Sequence, residues 1–299
     1  MSDRRLLKSN GRVAHASLRG QVEARAFVDP VPMRVAWPVA ALFSLPEGHA
    51  PKRERELVLH EVFEALEVGE TWVFGYAARD GYVGYMRREA LADAAPIRPT
   101  HVVATRQSYL ASVPELKNSE ETLPISFGTA LEVGNTHENG RWAEVAQLRA
   151  TPDRHKSTLT GYVPTAHLRP LDRAERDPVE VAERFLGTPY HWGGNSGFGI
   201  DCSGLVQAGC LACGIACPGD SDLQEAALGT TLSPDAALQR GDLLFWRGHV
   251  AWVAGPDLLL HANAHHMAVA FEPLGAALAR IEAQGDGPVT RRARLVPKR

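Results

Sequence analysis

Short apolar runs broken by turn residues dominate the first 170 positions of the chain. Trp72-Val73-Phe74-Gly75-Tyr76 and Trp142-Ala143-Glu144-Val145 are typical, and such runs with turn residues every several positions predict small antiparallel barrels. Part of the pattern recurs. Ala-Leu-Glu-Val-Gly stands at 65–69 and again at 130–134, followed each time by a tryptophan, Trp72 or Trp142, and by Gly-Tyr-Val at 81–83 or 161–163. Two copies of one small unit follow from that repeat. Past residue 176 the pattern changes. A glycine-rich stretch from Gly193 to Gly204 leads into a continuous apolar helix pattern from Leu205 to Ile215. Two strand-like runs then flank Arg247-Gly248-His249, and a third, Leu258-Leu259-Leu260, ends in His261. The expected organisation is an N-terminal segment with a first barrel over 1–95, a second barrel over 100–170 and an α+β domain over 176–299. Charged, proline-bearing linkers fall near Asp93 to Pro99 and Pro170 to Asp177.

Composition narrows the class of protein. The 299 residues leave room for two or three domains, and 44% hydrophobic with 22% charged residues is ordinary for a soluble globular chain. A net charge of −3 offers no electrostatic footprint for nucleic acid or an anionic membrane. The basic, polar start lacks the apolar segment of an export signal, and no 18-residue apolar run suggests a membrane span. Cys202, Cys210, Cys213 and Cys217 lie within sixteen residues of one another, which reads as reduced thiols rather than a disulfide framework. A cytoplasmic location is expected.

Residues 199–207, Gly-Ile-Asp-Cys-Ser-Gly-Leu-Val-Gln, set Cys202 where the glycine-rich loop becomes the helix. A thiol there meets the positive end of the backbone dipole and unpaired N–H groups, which draw its pKa from about 8.5 toward neutrality. Cys202 is therefore a candidate nucleophile, against the alternative of an inert packed cysteine. A thiolate needs a base, and the base an orienting group. His249 begins one strand-like run and His261 ends the next, so the two belong on adjacent antiparallel strands, where the second imidazole can hold the first in one tautomer. Asn263 is an alternative orienter.

Rival chemistries fit less well. The Gly193–Gly204 stretch lacks the Gly-Lys-Ser/Thr ending of a phosphate loop, and Gly197, Gly199 and Cys202 miss the last glycine of a dinucleotide fingerprint. Cys210-x-x-Cys213 lies inside the helix pattern with no second pair to complete a tetrahedral metal site. Cys210, Cys213 and Cys217 thus read as packing residues, and His265 and His266 as solvated or substrate-facing. No cofactor or metal is expected.

Five separated motifs, in order, carry a resemblance. They are Gly187-Thr188-Pro189-Tyr190-His191-Trp192-Gly193-Gly194 with Gly197 to Gln207, then Asp220-Ser221-Asp222-Leu223-Gln224, Gly241-Asp242-Leu243-Leu244-Phe245, Gly248-His249-Val250 and His261-Ala262. Over roughly 176–299 the chain resembles the NlpC family of papain-like cysteine peptidases, which cut bacterial cell-wall peptides. The resemblance implies Cys202 as nucleophile, His249 as base and His261 as its orienter. It makes Tyr190 the active-site tyrosine, an oxyanion donor beside the backbone N–H of Cys202. Asp201, Ser203 and Ser221 match positions that contact substrate.

The two barrels resemble bacterial SH3-like domains, commonly joined to such peptidases. In the subgroup that recycles murein peptides, the first barrel supplies an acidic residue and a tyrosine that hold the substrate's free α-amino group. The matching positions are Glu61 and Tyr82, although His60 stands where the subgroup often has glycine and Tyr82 recurs as Tyr162. The alternative is a solvated strand carboxylate and a barrel aromatic. The resemblance implies hydrolysis of the γ-D-glutamyl to L-diamino-acid bond of small murein peptides with a free N-terminal L-Ala. A cysteine amidase or acyltransferase on the same fold, and a non-catalytic peptide-binding protein, are the alternatives.

Overall fold

The computed structural model describes residues 3–46, 52–93, 97–117, 119–148 and 158–295. Residues 94–96 of the expected Asp93–Pro99 linker lie outside the described residues. The chain divides into two compact units, Met1–Arg173 and Ala174–Arg299.

The first unit is built on a seven-stranded antiparallel sheet. Its strands run in the order Arg53–Val58, Val39–Phe43, Val83–Arg87, Trp72–Ala77, Val62–Val68, Val31–Val35 and Leu91–Asp93. Successive side chains of a strand point to opposite faces, and here both faces are covered. Met33, Val35, Leu42, Phe63, Val73 and Met86 fill one core, while Leu66, Phe74, Tyr76, Val83 and Tyr85 pack on the other side with Val13 and Val28. That double burial is why Trp72–Ala77 is apolar nearly throughout rather than alternating.

A second group of strands in the same unit has its own core. Trp142–Leu148 lies between Val133–His137 and Thr158–Pro164, and His101–Val103 lies between Ala130–Leu131 and Leu168–Pro170. Gln107–Leu110 pairs with Leu123–Ser126. Val103, Leu110, Ile125, Leu131, Val145 and Val163 pack together, joined by Leu59 from the first group. His60, in the left-handed backbone region at φ 69°, shares a hydrogen bond of 3.0 Å through Nδ1 with the Ala130 carbonyl. The repeated Gly-Tyr-Val takes two forms. Tyr82 precedes its strand and is 2% exposed, whereas Tyr162 sits within its strand opposite Glu144 and is half-buried.

Among its described residues the second unit holds four helices, α1 (Pro178–Glu183), α2 (Cys202–Ala212), α3 (Ser221–Ala227) and α4 (Leu274–Ala283), and a six-stranded antiparallel sheet. The strand order is Thr230–Thr231, Arg291–Arg294, Asp242–Trp246, His249–Gly255, Leu258–Asn263 and Ala268–Pro273. Arg247 and Gly248 form a two-residue turn, so that Trp246 pairs with His249. Leu244, Trp246, Ala251, Val253 and Leu259 pack with Ala277 and Ile281 of α4. α1, α2 and α3 all contact the His249–Gly255 strand.

The helix expected to reach Ile215 ends at Ala212. Gly214 takes φ 70°, a conformation that costs glycine little, and the chain turns back with Ile215 N donating to the Cys210 carbonyl at 2.9 Å. Cys213 is therefore the cap of α2 and not part of its interior.

Candidate active site

The start of α2 is fixed by one carboxylate. Asp201 Oδ1 accepts from Gly204 N at 2.6 Å and from the Ser203 hydroxyl at 2.9 Å, and Oδ2 accepts from Gly193 N at 2.9 Å. An aspartate at this position satisfies a helix N–H that has no partner within the helix. Here it also ties the loop before the helix to the helix itself. Gly204 must be a glycine, because a Cβ there would stand 2.5 Å from the Gly194 carbonyl oxygen. Cys202 is thereby held as the first residue of α2, 7% exposed, its backbone at the positive end of the helix.

Tyr190 lies beside this helix start. Burial, then the charges available to Cys202 and Asp201, push its phenol well above the ordinary tyrosine value. It is therefore a neutral O–H donor at every working pH. The Tyr190 backbone N donates to the Met267 carbonyl at 2.9 Å, which joins this loop to the turn between the Leu258–Asn263 and Ala268–Pro273 strands. Two residues on, Trp192 is 69% exposed.

The histidines form a chain of hydrogen bonds. His249 Nε2 lies 2.9 Å from His261 Nδ1, and His261 Nε2 lies 2.9 Å from Glu272 Oε2. Arg280 of α4 donates to both oxygens of Glu272, at 2.9 Å from Nε and 2.7 Å from Nη2. His261 is fully buried and Glu272 is 6% exposed. Burial lowers His249 to about 3 and His261 to about 4, so both imidazoles rest neutral. The Arg280 guanidinium holds Glu272 down to about 2, so it is ionised. α2 packs on the strands that carry both histidines.

Glu272 and Arg280 were not singled out in the sequence. The available signal was a carboxylate inside the apolar run Ala268–Pro273, one strand from His261. Gln224 is a further residue whose role the sequence does not signal. Fully buried on α3, it donates through Nε2 to the Ser203 carbonyl at 2.8 Å and the Pro218 carbonyl at 3.0 Å, bracing the helix start.

The remaining expected residues fall as follows. Ser203 is 4% exposed with its hydroxyl on Asp201, and Ser221 is the first residue of α3 and partly exposed. Asn263 does not take the orienting place beside His249. Its Oδ1 accepts from His266 N at 2.8 Å and lies 3.0 Å from His266 Nδ1. Glu61 and Tyr82 belong to the first unit and are engaged by their own barrel. Glu61 Oε2 accepts from Val58 N at 2.7 Å and from Arg79 Nη1 at 2.8 Å, and Tyr82 is a core residue. Glu61 is thus an ion-paired carboxylate, not a solvated one.

None of the four cysteines is in a disulfide. Cys210 and Cys217 are buried against each other, and that contact with burial pushes the Cys210 thiol well up, away from reactivity. Among the described residues, atoms of His261, His266 and Glu272 lie within 4.8 Å of one another, close enough to suggest a metal site. The bonding argues otherwise. Both ring nitrogens of His261 are engaged, and a cation there would face Arg280, which already occupies both Glu272 oxygens.

A cysteine opening a helix that packs on an antiparallel sheet with two bonded histidines is the papain-like arrangement. Comparisons with known proteins agree with that arrangement. Residues 187–277 match the model of the NlpC/P60 family, and residues 47–91 match that of the bacterial dipeptidyl-peptidase SH3 domain. The second unit thus contains an NlpC/P60 domain, and the first contains a bacterial SH3 domain. Dipeptidyl-peptidase 6 of Lysinibacillus sphaericus is 29% identical over 240 residues, 75% of this chain and 85% of that relative. The γ-D-glutamyl-L-lysine dipeptidyl-peptidase of Bacillus subtilis (strain 168) is 31% identical over 196 residues, 61% of this chain and 60% of its own length. The crystal structure of an NlpC/P60 family protein from Bacillus cereus ATCC 10987 superposes with a TM-score of 0.73 at 21% identity, covering 89% of this chain and all of that one. That likeness shows a shared fold.

Proposed function

We propose that the chain is a cysteine endopeptidase that hydrolyses the γ-D-glutamyl to L-diamino-acid bond of small murein peptides with a free N-terminal L-Ala. The observation that carries this reading is the bonded His249–His261 pair on the strands against which the helix of Cys202 packs. In this reading His249 takes the thiol proton and Cys202 Sγ attacks the γ-carbonyl carbon. The resulting oxyanion is met by the backbone N–H of Cys202 and the hydroxyl of Tyr190, a preorganised pair of donors. Collapse expels the diamino-acid amine, which receives its proton from the His249 imidazolium. Water then attacks the thioester with His249 again as base, restoring the thiol.

The bond specificity draws on the relative named a γ-D-glutamyl-L-lysine dipeptidyl-peptidase. Release of a dipeptide requires a free amino end, which suits a recycling enzyme acting on peptides already cut from the wall. A cytoplasmic site of action belongs to the same reading, since closely spaced cysteines that form no disulfide suit a reducing compartment.

The test is incubation with L-Ala-γ-D-Glu-L-Lys and the matching diaminopimelate peptide, each free and N-acetylated, followed by mass analysis. Release of L-Ala-D-Glu from the free peptides alone is expected, and equal cleavage of the blocked ones would remove the free-amine requirement. Cys202→Ala should lower turnover by roughly 10⁴-fold or more, because nucleophile and base act as a unit. Cys210→Ala, Cys213→Ala and Cys217→Ala should retain it.

A further inference from the structure

We propose that Glu272, clamped by Arg280, is a positioning residue that dictates the tautomer of both histidines and so makes Nδ1 of His249 the basic nitrogen. The inference rests on the cysteine-peptidase reading above and adds two residues that touch no substrate.

The argument is a count of donors and acceptors along one chain of contacts. An ionised carboxylate can only accept hydrogen bonds. The 2.9 Å contact between Glu272 Oε2 and His261 Nε2 therefore requires the proton of neutral His261 on Nε2. Its Nδ1 is then a bare lone pair. The 2.9 Å contact from that Nδ1 to His249 Nε2 in turn requires the proton of His249 on Nε2. His249 is left with its lone pair on Nδ1, the one nitrogen not committed to the chain.

Without an acceptor at Glu272, the chain can run the other way. His261 Nδ1–H would donate to His249 Nε2, His249 would carry its proton on Nδ1, and no lone pair would face away from His261. Each orientation has one donor and one acceptor per contact, so the histidine pair alone does not choose between them. Glu272 chooses. Arg280 makes that choice firm, since its two bonds keep the carboxylate charged and in plane. The same charge, one imidazole away, favours the His249 imidazolium that forms when the thiol gives up its proton.

The experiment reads the protons directly. In full-length protein labelled with ¹⁵N-histidine, long-range ¹H–¹⁵N spectra distinguish the two tautomers, and assignments come from His249→Gln and His261→Gln. Both histidines should show Nε2–H near neutral pH in the wild type. A proton on Nδ1 of either would overturn the proposal, whatever any variant does. Glu272→Ala should lower kcat on the order of 10- to 100-fold with KM changed less than about twofold, and should populate the Nδ1–H form of His249. Glu272→Asp should restore part of the rate, and Arg280→Ala should fall between the two. Wild-type kcat, pH profile and tautomers in Glu272→Ala would also overturn it. The spectra are independent of turnover. If the wild type shows both Nε2–H tautomers but cuts no murein peptide, the peptidase reading fails and this one stands.

Discussion

His60 shows how one side chain can be read for more than its motif position. It is 1% exposed, and burial lowers it to about 4 from the ordinary 6.5. Its folded pKa lies below the unfolded one, so the unfolded chain takes up the proton first as pH falls. The stability it contributes is present in full above about pH 6.5, is lost between there and pH 4, and then levels off. A shift of that size is worth on the order of 3 kcal/mol. His60→Asn keeps a residue that tolerates φ 69° and can still donate to the Ala130 carbonyl. Urea unfolding from pH 4 to pH 8 should show a shallower pH slope for this variant than for the wild type. Parallel slopes would mean that His60 titrates normally.

Among the elements, α2 is where sequence and geometry meet most closely. The nonapeptide around Cys202 was sufficient to place the thiol at a helix start, because the change from a glycine-rich loop to a continuous apolar helix pattern is a local signal. Asp201 turned out to bind three donors from two segments, and only one of these follows from capping. Asp201→Ala should cost about 1–2 kcal/mol, the ordinary price of a lost cap, measured as a lower urea midpoint. Gly204→Ala should abolish turnover in a protein that still folds, since its Cβ would push the loop at Gly194 away from the helix. A Gly204→Ala enzyme with wild-type kcat would show that the loop can yield without disturbing Cys202.

For the whole molecule, the fold class was legible because alternating and helical periods are short-range properties. Placing His249 and His261 on neighbouring strands needed only the lengths of the two runs and the short turn at Pro256-Asp257 that joins them. Glu272 was not legible in that way. Its partner His261 lies eleven residues back on the paired strand and Arg280 eight residues ahead on α4, and nothing local says that the three converge. The pairing of Glu61 with Arg79 was hidden for the same reason, the two lying eighteen residues apart. The repeat was legible as sequence, yet its two Gly-Tyr-Val copies fold differently, since Gly81 turns at φ 76° and Gly161 lies within a strand.

The exposure of Trp192 gives the second unit an intrinsic optical probe. Trp246 and Trp252, the other indoles of that unit, are 1% and 0% exposed, so iodide in solution can collide with Trp192 and hardly with them. Their emission should be blue-shifted and unquenched, while that of Trp192 should be red-shifted and quenched. Adding a murein peptide to the Cys202→Ala protein should shield the indole and lower the quenching constant, and Trp192→Phe should erase the change. Occupancy next to Tyr190 would then be followed by fluorescence in a protein that cannot turn over, with no label attached.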